Sequence, residues 1–156
     1  TGEDDDEDAI GVDHSSTSQL VTAAAEYMKR GDYEGALQIY GYTLGRCKVW
    51  DSPLTELRVL SNRSLCLQRL RGRLPELVSA CNEALKRISQ IRREGRGGDI
   101  SGEMLLRMES ACLSRRGNAY MQLRKTEEGN RDLADVREIL ARVGELEKQG
   151  QATATH

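Results

Sequence analysis

The 156-residue chain has no phenylalanine, one tryptophan, two prolines and two histidines. So few aromatic residues suit helices rich in alanine and leucine rather than a sheet. No run of 18 apolar residues occurs, and a membrane-spanning helix needs about that length. No secretory signal peptide is visible. The first residue is Thr1 rather than Met, as expected of a fragment cut from a longer protein with part of its function upstream. His14 and His156 lie in the terminal tails, so no nucleophile, base and orienting group come together, and no enzymatic activity is expected. The four cysteines, Cys47, Cys66, Cys81 and Cys112, form no C-x-x-C pair. They read as reduced thiols packing as small hydrophobes, which implies a cytoplasmic protein and neither a metal nor another cofactor.

Hydrophobic residues make up 38% of the chain and charged residues 31%. A chain of this length is one domain and buries about 70% of its unfolded surface. The net charge of −2 conceals an asymmetry. Glu3 to Asp8 is acidic, whereas arginine and lysine dominate from Arg58 to Arg96. A nucleic-acid-binding domain would be basic overall, so a protein partner is expected.

Ala24–Tyr40 reads as a helix, a break at Gly31-Asp32 and a second helix. Tyr33, Ala36, Leu37 and Tyr40 recur on one helical face. The pattern returns at Asn62–Ala84 and at Arg115–Val136. In each copy a small residue (Ala24, Ser64, Gly117) stands one turn before a large one (Tyr27, Leu67, Tyr120). One helical pair cannot bury its apolar face alone, so repetition implies stacking.

Gly31-Asp32-Tyr33 with Ala36 and Tyr40, Ser61-Asn62-Arg63-Ser64, and Arg115-Arg116-Gly117-Asn118-Ala119-Tyr120 resemble the tetratricopeptide repeat (TPR) family. The resemblance implies an all-α, right-handed superhelical solenoid of three degenerate helix-turn-helix repeats plus a C-terminal capping extension. The family repeats at about 34 residues. Here the small-residue markers are 40 and then 53 residues apart, so longer helices and loops must absorb the excess.

Residues 1–18 are expected to form a disordered acidic, Ser/Thr-rich tail. Repeats at about 19–48, 54–93 and 101–141 follow, with a cap to 149 and a tail at 150–156. Ser18 is expected to cap the first helix, Gln19–Arg30, and Asp32 the second, Tyr33–Cys47. Ser52 and Pro53 restart the chain as cap and first helical residue. Trp50 is expected to pack across that connection. Leu54–Leu70 is the third helix, Arg71 looks like an insertion in the turn, and Pro75 opens the fourth. Asp99 or Ser101 caps a fifth helix, Ser101–Leu123, and Thr126 a sixth. The EGRGG segment, Glu94–Gly98, lacks the strand and lysine of a nucleotide-binding loop.

One subgroup of the resembled family binds the acidic C-terminal tail of heat-shock chaperones through a clamp of lysine, asparagine and arginine. Matched residue by residue, Asn62 and Arg115 occupy clamp positions. Val21, Ala25 and Ala111 stand where three other donors would be. Each charge-assisted hydrogen bond is worth about 1.5–3 kcal/mol, and micromolar binding totals only about 8 kcal/mol. Three missing donors therefore suffice to abolish binding of the standard tail.

The spacing places Arg58, Asn62, Leu65 and Arg69 on one face of the third helix. Ala111, Arg115, Asn118 and Gln122 share a face of the fifth. With Met28 in the first repeat, these residues imply a groove for a peptide that is acidic beside a hydrophobic portion. Leu106-Arg107-Met108, the following arginine-centred segment and the long loop before them resemble the C-terminal repeat domain of dynein axonemal assembly factors, which are co-chaperones. The function expected is a protein-binding, co-chaperone-like adaptor. Its alternative is a scaffold that binds a folded partner, or itself, through Trp50 or the terminal helix.

Overall fold

The computed structural model describes residues 16–47, 49, 50, 52–95 and 98–154. Expectations for the acidic run Glu3–Asp8, for His14 and His156, and for Arg96-Gly97 fall outside them. The described residues form six helices and no strand, an all-α fold. They are α1 (Thr17–Lys29), α2 (Tyr33–Arg46), α3 (Pro53–Leu70), α4 (Leu74–Glu94), α5 (Gly102–Gln122) and α6 (Thr126–Ala154). No described helix is long and apolar enough to cross a membrane. The chain divides into two compact units, one through Val49 and one from Trp50.

The first unit is the α1–α2 hairpin. Ser16, not Ser18, caps α1. Its hydroxyl accepts from the Gln19 N–H at 3.2 Å while the Gln19 side chain accepts from the Ser16 N–H at 2.9 Å. This reciprocal box satisfies two donors at once, which is why the helix starts earlier than expected. At the turn, Gly31 has φ +77°. Its N–H donates to the Met28 carbonyl at 3.0 Å, and the Asp32 N–H donates to that of Tyr27 at 2.9 Å. These are the two bonds of a Schellman turn, which needs a left-handed residue at the glycine position. Asp32 caps α2 by accepting from the Gly35 N–H at 2.9 Å. Leu20 and Ala24 are buried from α1, and Ala36, Ile39 and Tyr40 from α2.

The second unit packs α3 on α4, α4 on α5 and α5 on α6, and α3 also touches α5. Ser52 and Pro53 start α3 as expected. The Ser52 hydroxyl accepts from the Leu54 N–H and also bonds the Asp99 carboxylate in the loop before α5. That loop buries Ile100, and Ser101 caps α5. Leu57 and Leu67 from α3, Cys81 and Ile88 from α4, and Cys112 from α5 are buried core residues. Leu106 and Leu113 cluster with Ile139 and Val143 of α6. The α5–α6 turn is a second Schellman turn, with Arg124 at φ +62° where glycine is usual. Thr126, expected as a cap, is instead the first residue of α6, and the Lys125 carbonyl accepts from the Gly129 N–H. Rather than ending near Lys148, α6 runs through Gly150 to Ala154.

Small residues let α5 and α6 close up. A β-carbon built on Gly117 would lie 3.1 Å from the Asp132 Cβ, and one on Gly129 would lie 3.0 Å from the Gly117 carbonyl oxygen. The three repeat markers, Ala24, Ser64 and Gly117, are all buried.

Candidate functional site

On α3, Arg58, Asn62, Leu65 and Arg69 recur at a spacing that keeps them on one side of the helix. Arg58 and Arg69 are exposed, while Asn62 and Leu65 are half-buried. On α5, Ala111 and Arg115 are half-buried, and Asn118 and Gln122 are exposed. Met28 belongs to the first unit, where its sulfur accepts from the Tyr40 hydroxyl at 3.5 Å. Trp50 is half-buried.

Arg115 joins the two helices of this face. Its Nη1 donates to the Ser61 carbonyl at 3.2 Å, the Ser61 hydroxyl at 3.1 Å and the Ser64 hydroxyl at 3.0 Å. Ser52 near the start of α3 bonds Asp99 near the start of α5, and mid-helix Ser61 and Ser64 meet Arg115. The two helices therefore run side by side in the same direction. All three oxygens on Arg115 belong to neutral groups, so its charge is held in place without being cancelled. Among the described residues, Arg58, Arg69 and Arg115 have no carboxylate partner.

The cations of the other helix seams differ. Arg63 pairs with Glu83 at 3.0 Å, Arg87 with Glu56 at 2.7 Å, and Arg92 with both oxygens of Glu109. Arg116, next to Arg115, grips both oxygens of Asp132 at 2.8 and 2.7 Å and donates to Asn82 at 2.9 Å, so one guanidinium ties α5 to α4 and α6. The hydrogen bond to Asp132 raises the Arg116 pKa above its ordinary value, which burial only partly opposes. No spacing rule points to this link. Its signal is Asp132 itself, which stands among Gly129, Val136, Ile139 and Val143 on the inward face of α6. A carboxylate in such a row needs a cation.

Three thiols lie near the Arg115 seam. Burial pushes Cys66 up to about 11 and Cys81 up to about 12, and it raises Cys112 as well. The Arg115 charge pulls all three down, but by less than burial raises them. They are neutral near pH 7, and a protonated thiol is a poor nucleophile and a poor metal ligand. No group of three or more His, Cys, Asp or Glu residues suited to a metal ion occurs among the described residues.

A separate open cleft of about 560 Å³ lies between the start of α5 and the end of α6, lined by Glu103, Leu146, Glu147 and Gln151 with Gly102 and Gly150. Both carboxylates in it pair with Arg107.

No protein-family model matches the chain, and no curated protein matches it.

Proposed function

We propose that the chain is a TPR-like adaptor that binds a peptide segment, acidic beside a hydrophobic portion, along the α3–α5 face. The observation that carries this reading is the set of three cations without carboxylates, Arg58, Arg69 and Arg115, beside Asn62 and Asn118. Arg115 is fixed on one edge by serines, so an anion bound to its remaining donors finds a guanidinium that has already lost its rotamer freedom. Charge-assisted bonds to a preorganised arginine are the strong kind. Leu65, half-buried within the same row, supplies apolar surface for the hydrophobic part.

A chaperone tail is the partner class that the family resemblance suggests. The side chains at Val21, Ala25 and Ala111 remove three clamp donors and favour a ligand read mainly by α3 and α5. Fluorescence anisotropy with a labelled acidic peptide, against the same peptide with its Asp and Glu changed to Asn and Gln, tests the charge requirement. The acidic peptide is expected to bind and to weaken as salt rises, and the neutral one to bind at least about tenfold more weakly, the equivalent of 1.4 kcal/mol. Equal binding of the two would remove the electrostatic basis of the reading.

The scaffold reading has its own observation. Leu140 on α6 is 50% exposed and Leu146 is 40% exposed, apolar surface that a partner docked on α6 would cover.

A further inference from the structure

We propose that α6 is a self-association surface through which two copies of the chain pair antiparallel. The proposal is independent of the peptide-binding reading, because α6 carries none of Arg58, Asn62, Arg69 or Arg115.

Arg137, Leu140, Gly144, Glu147 and Gln151 recur at intervals of three and four residues. That alternation keeps one row aligned along a helix and is the spacing by which two helices pack side by side. The row lies beside the one that α6 turns inward on α5, which contains Val136, Ile139 and Val143. Its side chains still reach solvent: Arg137, Leu140, Glu147 and Gln151 are exposed and Gly144 is half-buried, whereas Leu133, one turn before Arg137, packs on Gly117 of α5. Nothing lies within 4 Å of a β-carbon built on Gly144, so the row has an open notch one turn from its projecting leucine.

The order of these residues selects the partner and its direction. A parallel copy in register would set Arg137 against Arg137 and Glu147 against Glu147. An antiparallel copy, related by a two-fold axis between Leu140 and Gly144, sets Arg137 against Glu147 twice. It also sets Leu140 against the Gly144 notch twice. The charged layer and the notch layer are both complementary under one operation, which is the requirement of an isologous dimer. Arg137 has no ion-pair partner of its own among the described residues. Glu147 is bonded to Arg107 but remains half exposed, so it can accept a second cation. A contact one helix wide falls below the roughly 1,200 Å² of stable interfaces, so a weak, reversible dimer is expected.

Sedimentation velocity and equilibrium of the full chain over a wide concentration range test this. The wild type is expected to shift from monomer to dimer mass with rising concentration. Arg137→Glu is expected to weaken association at least about tenfold, because it opposes like charges twice. Glu147→Arg should weaken it similarly, and the double reversal Arg137→Glu/Glu147→Arg should restore it. Gly144→Leu, which fills the notch, should also abolish the dimer. Circular dichroism checks that each variant keeps its helices, and Arg137→Glu, at an exposed site with no partner in the monomer, is the variant that does not disturb the fold. A wild type of monomer mass at every concentration overturns the proposal. So does a dimer indifferent to both single reversals, or one that the double reversal fails to restore. A monomer that still binds the acidic peptide would separate failure here from failure of the peptide reading.

Discussion

Arg71 holds a backbone conformation that suits glycine. Its φ of 57° and ψ of 158° fall in a region where a β-carbon is strained by about 1–3 kcal/mol. Its side chain is exposed, so little packing offsets that strain. Arg71→Gly is accordingly expected to raise the free energy of unfolding by about 1 kcal/mol, the lower end of that range, measured by urea denaturation. Unchanged or lower stability would show that the side chain contributes more than its position suggests.

The buried thiols give a second expectation at this scale. A pKa of about 12 for Cys81 in the fold, against an ordinary 9.0, means that the folded state holds the proton more tightly than the unfolded chain. Its contribution to stability is complete below pH 9 and is lost as pH rises toward 12. The free energy of unfolding should therefore fall between pH 9 and 12, and Cys81→Ala should make that limb shallower. An identical slope in the variant would contradict the assignment.

Element by element, helices and turns were legible where local chemistry decides. Ser52-Pro53, Asp32 and Gly31 act as their residue types dictate, because caps and left-handed turns depend on few neighbours. The cysteines expected as packing residues include three that are buried, Cys66, Cys81 and Cys112. Helix ends were less legible. Ser16 wins over Ser18 because the reciprocal bond with Gln19 adds a second satisfied donor. Gly150 reads as a stop, yet α6 continues through it to Ala154.

Contacts between helices were the least legible, since they depend on long-range geometry that no spacing rule supplies. The α5–α6 seam illustrates this with Asp132, which is 3% exposed and held by Arg116. Removing one member of a buried pair leaves the other charge uncompensated, at a cost of about 3–5 kcal/mol. Asp132→Asn is expected to destabilise the chain by an amount near the lower end, since the amide keeps one acceptor for Arg116. A loss below about 1 kcal/mol, the size of an exposed pair, would show that the bridge is solvated in practice.

For the whole molecule, the residues proposed to bind peptide form a face that helical spacing already implies, and the structure adds what spacing does not. Asn62, Leu65, Arg58 and Arg69 share one side of α3, as helical periodicity requires. That Arg115 reaches across to Ser61 and Ser64 depends on α3 and α5 lying side by side. Its bonds make it both a seam between helices and a candidate contact, so Arg115→Ala would mix a folding effect with a binding effect. Arg58 and Arg69 are exposed and lack carboxylate partners, so reversing them alters the charge of the face with little effect on packing.

The most direct test is a calorimetric titration of a peptide with an acidic stretch beside a hydrophobic one into the wild type and into Arg58→Glu/Arg69→Glu, with melting curves to show equal folding. Micromolar binding by the wild type is expected, weakened at least about tenfold in the variant, or about 1.4 kcal/mol. No heat of binding with the wild type, or equal affinity in both, would contradict the α3–α5 face as a receptor for acidic peptides.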